Sequence, residues 1–128
     1  MSIICEFRFN GVIIWHKGII TGNDLFQANN DIYSHEYDGD LKYQLIDLTE
    51  VDTLNVTTEE VTKLAKMDRD LKKNNKRFAC VVAPTDFLFA MARTWNMQSE
   101  KDGFETHVVR AMDDAITWFN SKGINISL

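Results

Sequence analysis

The stretch Arg77-Phe78-Ala79-Cys80-Val81-Val82-Ala83-Pro84-Thr85-Asp86-Phe87-Leu88-Phe89-Ala90-Met91-Ala92-Arg93-Thr94-Trp95-Asn96-Met97 decides the fold. After Arg77, its first six residues are apolar without alternation, which reads as a strand covered on both faces. Pro84 ends that strand, and Thr85 supplies the cap of a helix over 86–97. A doubly buried strand feeding a helix is the unit of a parallel sheet with helices packed on it.

Working outward, the same alternation repeats. Residues 3–9 and 12–20 read as strands separated by Asn10-Gly11, the strongest short-range hairpin signal, because a type I′ turn needs two positive φ angles. Thr21-Gly22-Asn23-Asp24 caps a helix over 24–35, with Leu25, Ala28, Ile32 and His35 on one side. Residues 36–40 form a turn and 41–48 a third strand. Thr57 with Glu60 fits the capping box that opens a helix reaching about Asn75. On that helix Val61, Leu64, Ala65, Asp68 and Leu71 share a face, and only Asp68 breaks its apolar character. Residues 104–109 make a fifth strand and 112–121 a last helix, with Asp113 and Asp114 in its first turn and Gly123 just past its end. The order β-β-α-β-α-β-α-β-α predicts one α/β domain over residues 1–128. Its five-stranded sheet is mostly parallel, with an N-terminal antiparallel hairpin and about four helices.

The 128 residues are 45% hydrophobic and 26% charged, which suits a single globular domain and excludes a disordered or low-complexity chain. The formal net charge of −5 argues against nonspecific nucleic-acid binding, which works by neutralising phosphates. Charge is uneven: residues 1–53 hold three basic and nine acidic groups, whereas 59–77 hold seven basic and four acidic. The basic end, Lys72, Lys73, Lys76 and Arg77, reads as cations favoured at a helix C-terminus, or as a patch for an acidic partner. Cys5 and Cys80 lie in strands, with no CxxC spacing and no signal peptide, which points to a reducing cytoplasm. No apolar run approaches the ~18 residues of a membrane span.

Motifs for chemistry are sparse. His16, His35 and His107 show no metal-ligand spacing, and residues 18–24 lack the Walker lysine and the GxGxxG pattern, so no metal or other cofactor is expected. No G-x-S-x-G is present. Asp47 lies near the carboxyl end of a strand, where open sheets place ligands, but nothing in sequence orders it with His16 or His107. The helix over 86–97 is apolar almost all round and must be covered on more than one side. Either it is wedged between the sheet and its neighbouring helices, or Phe87, Phe89, Met91 and Trp95 anchor an interface.

The segment Leu45-Ile46-Asp47-Leu48-Thr49-Glu50-Val51-Asp52-Thr53-Leu54-Asn55-Val56-Thr57-Thr58 resembles the signature of STAS domains, the family of bacterial anti-sigma-factor antagonists and sulfate-transporter tails. The closing Met112-Asp113-Asp114-Ala115-Ile116-Thr117-Trp118-Phe119 is similar to the last helix of the SpoIIAA-like branch, grouped with lipid-carrying Sec14 domains. The resemblance covers about 100 residues. It implies a non-enzymatic regulatory domain that binds a protein partner, a regulator or kinase-like protein, or a second copy of itself as a homodimer. The serine phosphorylated in regulatory members corresponds to Thr57, with Thr58 beside it. The acidic residue before it is replaced by Asn55, an interface position, and the glycine by Thr58 or Glu59. The Sec14 kinship implies an alternative, a carrier of a small apolar ligand or lipid.

Overall fold

The computed structural model describes residues 2–37, 40–71 and 76–128. Five strands, β1 (Ile3–Arg8), β2 (Gly11–Thr21), β3 (Tyr43–Asn55), β4 (Arg77–Val82) and β5 (Phe104–Val109), form one sheet in sequential order. β1 and β2 pair antiparallel and every later pair is parallel. The chain is therefore α/β with a mixed sheet. Helices α1 (Gly22–Ser34), α2 (Thr58–Asp70) and α3 (Asp86–Ser99) connect the parallel strands, and α4 (Met112–Ser121) follows β5. Consecutive crossovers of one hand, all stepping the same way, put α1, α2 and α3 on one face of the sheet. α4 covers the other.

Strand alternation divides the core accordingly. Ile13, Tyr43, Leu45, Phe78, Cys80 and Val82 pack with Ala115 and Phe119 of α4. Leu48, Ala79 and Val81 pack with Val61, Ala65, Leu88, Ala92 and Trp95 of α2 and α3, while Val12 and Ile14 pack with Ile32 of α1. All six β4 residues are buried, as a central strand requires. Burial pushes the Cys80 thiol up to about 12, so it stays protonated.

Three local readings are corrected. The first is the hairpin turn. Arg8 pairs with Gly11, so the turn residues are Phe9 and Asn10, and only Asn10 (φ 63°) has positive φ among non-glycine residues described. Gly11 serves packing instead: a Cβ there would lie 2.1 Å from the Tyr43 ring.

The second is β3, which runs seven residues past Leu48, pairing with Lys17–Thr21 of β2 across two register shifts, one before Lys17 and one after Gly18. Gly18, at φ 74°, sits at one of them. Its polar residues Thr49, Glu50, Asp52 and Thr53 break the apolar pattern because this part of the ribbon is exposed or only half-buried.

The third is α2, which ends at Asp70, short of Asn75. Arg77 is buried rather than part of a solvated basic face; its Nη2 donates to the carbonyls of Asp68 (3.0 Å) and Leu71 (3.4 Å) at the end of α2. Lys72 and Lys73 lie outside the described residues, as does part of the 36–40 turn.

The helix starts follow their caps. The Thr21–Asp24 and Thr57–Glu60 boxes both form, and Thr85 Oγ1 accepts from Leu88 N. Gly11→Ala should cost about 1–3 kcal/mol by overpacking against Tyr43, and Thr57→Ala about 1 kcal/mol by loss of the cap. Urea unfolding measures both. A neutral Gly11→Ala would mean that Tyr43 moves aside freely.

Candidate functional site

A cavity of about 90 Å³ lies between the α1–α3 face of the sheet and those three helices. Its walls are mostly apolar: Ile14, Ile46 and Val81 from the sheet, Leu25, Ala28 and Ile32 from α1, Val61 and Leu64 from α2, Met91 and Ala92 from α3. Leu25, Leu54, Leu64 and Met91 are half-buried and form its more open side. Five polar or amphipathic residues also line it: His16, Asn29, Gln44, Asp68 and Trp95.

Asp68, the polar interruption in the α2 stripe, organises these. Its carboxylate accepts from Asn29 Nδ2 (3.0 Å) and Tyr33 OH of α1 and from Trp95 Nε1 of α3 (2.7 Å). Tyr33 OH in turn accepts from Gln44 Nε2 of β3 (3.3 Å). One carboxylate thus ties α2 to both neighbouring helices and, through Tyr33, to the sheet. Burial raises its pKa to about 6, against the opposing pull of three hydrogen bonds and of Arg77.

On β2, His16 is buried and its Nδ1 lies 3.1 Å from the Ile14 carbonyl and 3.0 Å from that of Asp47. Two acceptors around Nδ1 fix the proton there, so Nε2 carries the lone pair. Burial lowers the His16 pKa to about 4, which keeps the ring neutral.

Asp47 and His16 do not assemble a catalytic pair. The Asp47 side chain follows Tyr43 and Leu45 toward the α4 face, whereas the His16 ring lines the cavity on the opposite face, and only the Asp47 backbone reaches it. Asp47 Oδ2 accepts from Thr49 Oγ1 (2.8 Å), and Oδ1 is sealed without a partner. His107 is exposed on β5 and stacks on Trp118. Among the described residues, no three His, Cys, Asp or Glu side chains gather as metal ligands.

The residues singled out on α3 separate. Phe87 is 57% exposed, and Phe89 lies half-buried under the Arg110 guanidinium. Met91 lines the cavity, and Trp95 is buried with its indole on Asp68, so it cannot anchor a surface interface. The helix is apolar all round because it meets both α2 and the sheet, with part of its surface given to the cavity. Thr57, Thr58 and Asn55 are exposed where β3 passes into α2, and Thr57 Oγ1 accepts from Glu60 N. No helix among the described residues is long and apolar enough to cross a membrane. Compared with protein-family models, with curated proteins and with solved structures, the chain matches none.

The two shifted groups have opposite effects on stability. Asp68 binds its proton more tightly when folded, so its contribution is lost as pH rises from 4 to 6. His16 binds its proton less tightly when folded, so its contribution grows as pH rises from 4 to 6.5. Wild type should therefore lose up to about 3 kcal/mol relative to Asp68→Asn between pH 4 and 6. Urea unfolding of both proteins across that range measures the difference; a constant difference would mean that Asp68 titrates like a solvated carboxyl.

Proposed function

We propose that the chain is a non-enzymatic binding domain of STAS or SpoIIAA-like type that takes up a small, mainly apolar molecule between its sheet and helices α1–α3. The observation that carries this reading is the cavity itself: apolar walls from the sheet and three helices around a few convergent, buried polar groups, the usual composition of a small-molecule site. The sequential order of strands and the helix opening at Thr57-Thr58 agree with the element order that the resemblance implies. With room for about 90 Å³ and an open side at Leu25, Leu54, Leu64 and Met91, the cavity suits a compact ligand seated partly in that opening, or one end of a longer one, better than a whole lipid.

A second reading, docking of a protein partner controlled at Thr57 or Thr58, is supported by the exposure of both threonines and of Asn55 and Phe87 around the starts of α2 and α3. A phosphate there would be favoured by the helix dipole and opposed by Glu59 and Glu60.

Native mass spectrometry of protein taken from its own cells tests both readings. Ligand uptake predicts one small molecule per chain, lost in Ala28→Phe, which fills the cavity from α1. Phosphate on Thr57 or Thr58 with a stoichiometric protein partner, and no small molecule in either form, would replace ligand uptake with the switch.

A further inference from the structure

The hydrogen-bonding valences around the cavity specify the polarity of what it can hold. Tyr33 has one proton, and it goes to Asp68. Tyr33 OH can therefore only accept from Gln44, which fixes the amide with Nε2 toward Tyr33 and Oε1 away from it. His16 Nδ1 is held by two backbone carbonyls. Gln44 Oε1 and His16 Nε2 have no partner among the described residues. The sealed side-chain atoms without partners there are Asp47 Oδ1 and Arg77 Nη1, so these two acceptors are not sealed. The space that both His16 and Gln44 line is this cavity.

The charge around the cavity points the same way. Among the described residues no lysine or arginine lines it, and the one charged residue there is Asp68, whose two oxygens already receive three donors. A ligand carboxylate or phosphate would meet lone pairs and a buried negative charge, and the nearest described cation, Arg77, is outside the lining with Nη2 held by the carbonyls at the end of α2. A hydroxyl would find two acceptors waiting.

We propose that the cavity selects a neutral, compact apolar molecule carrying a hydroxyl, which donates to His16 Nε2 or Gln44 Oε1 while its body packs among Ile14, Ile46, Leu64 and Met91. This inference rests on the ligand-uptake reading and adds the class of ligand. Acidic lipids, fatty acids and phosphorylated metabolites are excluded by the same valences that admit an alcohol or phenol.

The test uses three probes of similar shape, phenol, toluene and benzoate, titrated at neutral pH and followed by the methyl NMR signals of Ile14, Ile46 and Met91. Phenol should bind at least tenfold tighter than toluene, and benzoate should cause no saturable shift. Of Gln44→Leu and His16→Phe, the one that removes the acceptor in use should reduce the phenol preference and the double variant should abolish it, while retained toluene binding shows that the cavity still forms. Toluene binding as well as phenol, or benzoate binding better than either, would overturn the polarity assignment and leave the cavity as an apolar site. No saturable shift with any probe at millimolar concentration would overturn the ligand-uptake reading and this inference with it.

Discussion

A single buried carboxylate holds the α1–α3 layer together. Asp68 sits fully inside the protein, and burying a charge costs several kcal/mol unless hydrogen bonds surround it. Here the donors come from the two neighbouring helices, Asn29 and Tyr33 from α1 and Trp95 from α3. The ordinary way to join three helices is to fill the space between them with interlocking apolar side chains. A polar hub does it differently: its bonds have fixed lengths and directions, so the helices are set at defined positions even where the packing beside the hub is incomplete. The cavity is the space left next to that hub, and its other polar residues, His16 and Gln44, come from the sheet below.

The opposite face of the sheet is built on another rule. There Tyr43, Leu45, Phe78, Cys80 and Val82 meet Ala115 and Phe119 with Ile124 and Ile126, an almost wholly apolar contact. Asp47 is the exception on that side, with one oxygen bonded to Thr49 and the other sealed and unpaired. The contrast between an almost wholly apolar core on one face and a cavity with buried polar groups on the other supports the proposed ligand uptake on the α1–α3 side.

The sequence carries the architecture well. The unbroken apolar run at 78–83 with Pro84 and Thr85 after it marks a central strand and the crossover that follows, and the cap residues Thr21, Thr57 and Thr85 mark three helix starts. The site is far less legible. Its polar members lie 27 to 39 residues from Asp68 in the chain, and although Asn29 and Tyr33 share a face of α1 at i,i+4 spacing, no periodicity links that pair to Asp68 or Trp95. The one visible signal is Asp68 as the lone polar residue in an apolar helix stripe, a position that makes sense only if its partners lie on other elements. The same logic explains the other departures. Gly11 reads as a turn glycine, but its role is set by the Tyr43 ring 32 residues away in sequence. Arg77 reads as one of a basic run, but it is turned inward by the carbonyls at the end of α2. Each answers to a tertiary contact, which a local pattern does not encode.

The most direct test of this account is a ¹³C NMR titration of the Asp68 carboxyl in the folded protein, with the Trp95 indole N–H followed in the same samples. The account predicts a midpoint near 6, with the Trp95 signal moving through the same midpoint as its acceptor gains a proton. A midpoint in the ordinary range of an exposed aspartate, with Trp95 indifferent to it, would contradict a buried hub and the cavity built around it.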